Sequence, residues 1–210
     1  MKKIILIRHA ESEANLGDKI LPHDNIIKIT ENGKKQAEDL REILDKPDRI
    51  IVSKFIRTLE TAEPTINKFP DSEVHLWLDT HEFNHMSNMT TSLLTEVKEY
   101  KELHDRYWER LDPNEKNGEG ESFKEFIDRV NGVILKFKKI PDGVNYFFTH
   151  AYFIKMFYLL CEKYSDFNGR EKTTDLYSEI MKDFVIKKSE FKVANTQVLD
   201  VTELVEKYSE

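Results

Sequence analysis

The sequence predicts an α/β fold with a largely parallel sheet, and three observations carry that expectation. Short β-branched apolar runs bounded by charge recur along the 210 residues, which is the signature of buried strands. Segments with apolar residues at helical spacing lie between them. The two kinds alternate, so the helices serve as crossovers between parallel strands.

Taken in order, "KIILIR" (3–8) is a short strand that ends in charge. "ITENGKKQAEDLREIL" (29–44) has helical spacing at Ala37, Leu40, Ile43 and Leu44, with Thr30 as N-cap. "DRIIVS" (48–53) is the second strand, "RTLETAEPTIN" the next helix, and "EVHLWLD" (73–79) the third strand. From Thr80 to Gly120 the chain turns polar and aromatic, with two helices expected around 92–110 and a loop at 112–121. Ser122-Phe-Lys-Glu125 is a capping box that starts a helix running to about Lys138. "VNYFFT" (144–149) is a fourth strand followed directly by the helix "AYFIKMFYLLCEK". "DFVIK" (183–187) and "TQVLDV" (196–201) close the chain as two further strands.

Composition narrows the function. Hydrophobic residues make up 39% and charged residues 34%, as in a soluble chain of one domain. A net charge of −7 argues against broad binding to nucleic acid or anionic membranes, but not against a small anion in a locally basic pocket. One cysteine, Cys161, sits in an apolar run, so it is expected in the core and no disulfide framework exists. The apolar run near the start is too short for a signal peptide, and no segment is long enough for a membrane span. A cytoplasmic location is expected.

Chemistry-bearing residues follow the strands. In open α/β sheets ligands bind beyond the carboxyl ends of the strands. "RHAES", "SKFIR", "DTHE" and "TH" occupy four such ends, so His9, His150, Arg8, Arg57 and Glu82 can converge. Guanidinium forks suit phosphate oxygens. A neutral imidazole can attack phosphorus, and a carboxyl group can protonate the departing oxygen. That inventory suggests phosphoryl transfer through a phosphohistidine, with the cationic side chains supplying the charge stabilisation and no metal required.

"THEFNH" (80–85) also contains H-E-x-x-H, which on a helix would place two imidazoles on one zinc-binding face. Here the motif follows a strand, and "NHMSNMTTS" favours caps and turns over helix. A zinc peptidase would also leave the other strand-end residues unexplained.

"LIRHAESEAN" resembles the histidine phosphatase superfamily signature (phosphoglycerate mutase-like). "ITENGKKQAEDL", "IIVSKFIRTLETA", "GES" (120–122), "FFTHAYFIK" and "VANTQVLDV" resemble its later landmarks. The resemblance implies a three-layer α/β/α sandwich, with a helical lid inserted at about 80–120 of a single domain spanning 1–210. It also implies His9 as the phosphorylated nucleophile, and Arg8, Arg57 and His150 as ligands of the phosphoryl oxygens. Glu82 falls at the proton donor's position, though Glu73, Asp79 and Glu96 lie nearby. Ser12, Asn15 and Ala151 fall at positions around the phosphate, and Ser12 can equally cap the helix that follows.

The sequence departs from the family pattern at Ala10, where glycine is usual, and at "HAY", where "HGG" is frequent. It lacks "ERxYG" after Glu82, which favours hydrolysis over mutase chemistry. The expectation is therefore a metal-independent phosphomonoesterase of the histidine acid phosphatase type, without cofactor, acting on a small phosphorylated metabolite. A phosphoglycerate-mutase-type phosphotransferase is the alternative; a non-catalytic phospho-ligand-binding module and the zinc peptidase are more remote. His81, His85, Phe83, Met86 and Trp77 are read either as substrate rim or as packing, while His23, Asp24 and Lys28 are read as solvated and "EKNGEGE" as a mobile, acidic turn. Neither the natural substrate nor the oligomeric state is specified.

Overall fold

The computed structural model describes residues 1–17, 26–86, 91, 93–94 and 96–209. Five strands form one sheet in the order β3-β2-β4-β1-β5: β1 Lys2–Arg8, β2 Arg49–Val52, β3 Glu73–Leu76, β4 Gly143–Thr149 and β5 Val198–Asp200. All neighbours run parallel except β5, which is antiparallel to β1. The helices are α1 Glu13–Leu16, α2 Glu31–Ile43, α3 Ile56–Lys68, α4 Val97–Arg110, α5 Phe123–Lys139, α6 Ala151–Lys163, α7 Thr174–Glu190 and α8 Thr202–Lys207. None among the described residues is long and apolar enough to cross a membrane.

The strands alternate two apolar faces. Ile4 and Leu6 point into a large cluster with Phe137, Phe147 and Phe157, whereas Ile5 and Ile7 join Leu40, Ile50 and Ala62 on the other side. The period of two thus divides one strand between two cores. Each fully buried aromatic or aliphatic side chain contributes roughly 1.5–3 kcal/mol, so these clusters hold the strand ends in register. Cys161 lies in the larger core as a free thiol.

Helix starts follow their caps. Thr30 accepts from the Gly33 N–H at 2.9 Å, and Ser122 and Glu125 form the reciprocal box that opens α5. Gly33 also lets α2 approach the loop after β1, because a Cβ there would stand 2.1 Å from the Glu11 carbonyl oxygen. Thr30 N–H donates to that same carbonyl at 2.9 Å.

Two expectations are corrected. "DFVIK" is not a strand but part of α7, whose buried residues Leu176, Tyr177, Ile180, Met181 and Phe184 recur at helical spacing behind the N-cap Thr173. A strand would bury alternate residues, whereas Phe184 is buried and Ile186 is 54% exposed. "EKNGEGE" is not simply a mobile, acidic turn. Glu121 is mostly buried against Arg129, its N–H donates to the Asn84 carbonyl at 2.7 Å, and Asn117 donates to the His85 carbonyl at 3.0 Å. Of the two helices expected around 92–110, α4 is described; the segment before it lies largely outside the described residues, as do His23 and Asp24. Lys28 is exposed.

Candidate active site

The strand register assembles the site. β1 and β4 pair Arg8 with Thr149, so the next residues, His9 and His150, leave the sheet side by side. The His9 N–H donates to the Thr149 carbonyl at 2.9 Å, and the two imidazole centroids lie 5.2 Å apart. β2 and β4 pair Val52 with Phe148, which brings Ser53 beside the end of β4; its Oγ stands 2.8 Å from His150 Nε2. Thr149 Oγ1 donates to the Thr80 carbonyl at 2.7 Å and ties the turn carrying Glu82 to the same edge.

His9 is 4% exposed, with Nδ1 2.6 Å from the Ala10 carbonyl oxygen. A carbonyl only accepts, so the ring proton sits on Nδ1 and the lone pair is left on Nε2. Burial first, then the charge of Arg57 and of Arg8, holds this imidazole well below its ordinary value, against the hydrogen bond to Ala10. His150 is depressed by burial and by the charges of Arg57 and His9; its Nδ1 is buried without a hydrogen-bond partner among the described residues. Phe55 packs against this cluster, with the Arg57 guanidinium 4.6 Å from its ring centre and the His150 ring at 5.2 Å. Arg8 spends one Nη on the Val193 carbonyl at 2.6 Å, and its buried Nε has no hydrogen-bond partner among the described residues.

Glu82 is half-buried. Its Oε1 accepts from the N–H groups of Phe83 at 3.0 Å and Phe153 at 3.1 Å, and its Oε2 from Tyr152 at 3.1 Å. The carboxylate therefore caps α6, whose own N-cap residue, His150, supplies no side-chain bond. Burial raises its pKa, against the lowering effect of these hydrogen bonds and of Arg57 and Arg8. The rival carboxylates are committed elsewhere: Asp79 pairs with Lys136, Glu96 caps α4, and Glu73 lies on the exposed edge strand.

Ser12 is buried, and both its N–H and its hydroxyl donate to Asn15 Oδ1, at 2.9 and 3.2 Å. Asn15 itself is exposed at the site's margin. Ala151 is the first residue of α6, directly after His150. The H-E-x-x-H segment does not form a helix. His81 packs on Phe55, while His85 is buried with its Nε2 3.0 Å from His104 Nδ1. Among the described residues, no three His, Cys, Asp or Glu side chains are grouped to hold a metal ion. Phe83, Met86 and His85 are packing residues, and Trp77 packs tilted against Phe137 and edge-on against Phe147.

Sequence reasoning missed three supporting residues. Asn195 Nδ2 donates to the His9 carbonyl at 3.0 Å. Ser53 meets His150. Arg129 forks onto Glu121 at 2.6 and 2.8 Å and donates to the carbonyls of Asp79 and His81 at 2.7 and 2.9 Å, bracing the turn before Glu82. Each is an ordinary polar residue until the strand ends are placed together; only the offset from Glu121 to Arg129, about two helical turns, is visible in the sequence.

The buried neutral histidines set an expected pH response. His81 and His85 are each pushed down to about 3, chiefly by burial, and His9 and His150 lie well below the usual range. A histidine whose folded value lies below its unfolded one is protonated first in the unfolded chain, so stability is lost as pH falls through the unfolded value. Glu82 has the opposite sign and offsets part of this loss. The thermal midpoint should therefore fall between about pH 7.5 and 5.5, around the unfolded histidine value; a flat or rising midpoint there would contradict the buried neutral state.

As assembled, the site can receive a phosphate dianion on Arg8, Arg57 and the imidazoles, with a lone pair available at His9 Nε2 and a carboxyl group within the same cluster. The structure resembles α-ribazole phosphatase from Shigella flexneri, with a TM-score of 0.66 and 20% identity over 93% of this chain and 88% of that one. It also resembles phosphoserine phosphatase from Entamoeba histolytica in complex with 3-phosphoglyceric acid, with a TM-score of 0.65 and 24% identity over 94% and 89%. At these identities the likeness shows a shared fold. A 2,3-bisphosphoglycerate-dependent phosphoglycerate mutase from Dichelobacter nodosus (strain VCS1703A) is 31% identical over 81 residues, 39% of this chain and 32% of the mutase, so the match spans about a third of that relative. The model of the histidine phosphatase superfamily (branch 1) matches residues 4–176, and the chain belongs to that superfamily.

Proposed function

We propose that the chain is a phosphomonoester hydrolase that acts on a small phosphorylated metabolite through a phosphohistidine at His9. The observation that carries this reading is the His9 imidazole, with its Nδ1 proton committed to the Ala10 carbonyl and its Nε2 lone pair beside Arg8, Arg57 and His150. Nε2 attacks phosphorus opposite the leaving oxygen. The two guanidinium groups neutralise the equatorial oxygens, and His150 donates from Nδ1 once the dianion is bound. Glu82, protonated at the outset, gives its proton to the departing alkoxide. The resulting carboxylate then takes a proton from the water that opens the phosphohistidine, which restores both groups. The segment around 80–120 acts as the lid of a single domain, with α4 placing Trp108 against Tyr152 at 6.0 Å.

This assignment of Glu82 has a distinguishing test. Glu82→Gln should slow hydrolysis of alkyl phosphates by roughly two to four orders of magnitude. An aryl phosphate, whose leaving group needs little protonation, should lose much less in its first step. Equal losses on both substrates would mean that Glu82 serves only to cap α6.

The partial likeness to a mutase supports a second reading, phosphoryl transfer between hydroxyls of a phosphoglycerate. A panel of phosphorylated metabolites, scored for released phosphate with and without a bisphosphorylated primer and against His9→Ala, separates the two. Phosphate release without primer supports the hydrolase. Primer-dependent isomerisation without net release overturns it. Release that disappears with EDTA and persists in His9→Ala would favour metal chemistry instead.

A further inference from the structure

Beside Glu82 the site continues into a wall with two lysines, on which Glu82 and Asp105 act only from beyond ion-pair distance. Lys155 lies one turn into α6, is 9% exposed, and donates from Nζ to the Lys188 carbonyl at 2.7 Å. The Lys188 ammonium sits 3.8 Å from the centre of the Trp108 ring. Among the described residues neither lysine forms an ion pair. Trp108 is itself 6% exposed, and its indole Nε1 is buried with no hydrogen-bond partner among the described residues.

These groups are continuous with the phosphate pocket. Tyr152 gives its N–H to Glu82, and its ring contacts both Trp108, at 6.0 Å, and the Lys155 ammonium, at 5.8 Å. Arg8 reaches the Val193 carbonyl, just beyond the end of α7 that carries Lys188. Lys155 is nearly buried with one carbonyl acceptor, Lys188 is partly buried, and the buried indole N–H has none among the described residues, an arrangement that is costly until more acceptors meet it. The phosphate dianion occupies Arg8, Arg57 and the imidazoles, so it does not account for the two lysines and the indole.

We propose that Lys155, Lys188 and Trp108 form a second anion subsite, and that the substrate is a phosphomonoester carrying another anionic group, a carboxylate or a second phosphate. The inference rests on the phosphomonoesterase reading above and adds the class of substrate that the site selects. Burial lowers the pKa of both lysines, that of Lys188 to about 8, which is the state a bound anion would relieve. The aromatic rings of Trp108 and Tyr152 exclude water around the subsite and strengthen its charge contacts.

Calorimetric binding to the His9→Ala chain tests this without requiring turnover. The probes are glycerol 3-phosphate, 3-phosphoglycerate and glycerol 1,3-bisphosphate. At least one doubly anionic probe should bind about tenfold or more tightly than glycerol 3-phosphate, a gap of about 1.4 kcal/mol; which one does so distinguishes carboxylate from phosphate. In a Lys188→Met background the preference should shrink to about twofold, whereas Lys188→Arg should keep most of it. Lys155→Met should act in the same direction, and if that chain fails to fold, Lys188→Met decides. No preference, no binding of any probe, or a preference unchanged in Lys188→Met overturns the subsite. A preserved preference in a chain whose wild type hydrolyses nothing would instead sink the hydrolase reading and leave the subsite standing.

Discussion

Replacing His9 with alanine should reduce phosphate release by roughly three to six orders of magnitude while the chain stays folded. In the proposed mechanism the imidazole supplies the attacking lone pair, and no neighbouring group among those described offers a substitute. His150 has Nε2 engaged with Ser53, and Arg8 and Arg57 carry no lone pair. The structural cost should be modest. The side chain's hydrogen bond to the Ala10 carbonyl is lost, about 1–3 kcal/mol if the acceptor remains buried and unpaired. Removing an imidazole held neutral by burial also removes part of the acid sensitivity derived above. Turnover of an aryl phosphate, measured with the thermal midpoint, checks both halves. Turnover within tenfold of wild type would mean that water or another side chain attacks phosphorus directly.

The largest effect on stability is expected at Arg129. Its guanidinium lies in a mostly buried fork with Glu121 and braces two carbonyls of the turn leading into Glu82. Arg129→Ala leaves the Glu121 carboxylate buried without its partner, and breaking such a pair costs about 3–5 kcal/mol. Activity should fall as well, through kcat, because the turn that aims Glu82 loses its anchor. Arg129→Lys should recover little, since a single ammonium cannot form the fork and hold both carbonyls. If Glu121→Ala is equally damaging and the double variant little worse than either single one, the two residues act as a unit. Denaturant unfolding of the four variants provides the check; a loss under about 1 kcal/mol for Arg129→Ala would show that the brace is dispensable.

Much of the fold was legible because strand and helix periods differ. "KIILIR" and "VNYFFT" read as buried strands from their shortness and their β-branched and aromatic content, and the parallel pairing of Arg8 with Thr149 then sets His9 beside His150. The 183–187 run misled because three adjacent apolar residues satisfy either period locally. The helix becomes evident only when Leu176 and Ile180 are counted with Phe184. The Arg129 brace was hidden for another reason: its acceptors are main-chain carbonyls, which sequence does not distinguish, and Glu121 lies in a run that looks solvated. "THEFNH" showed both faults. Its two histidines suggested a metal and instead pack on Phe55 and His104, while its glutamate caps the helix that begins at the second site histidine.

The central claim is that phosphate passes through His9, and rapid-quench labelling tests it most directly. Mixing the chain with a turning-over phosphomonoester and quenching without acid should trap one phosphate on His9, located by peptide mass analysis. The label should appear and decay at rates consistent with turnover. An active chain that carries no phosphohistidine under these conditions, or carries the phosphate on another residue, would contradict the mechanism.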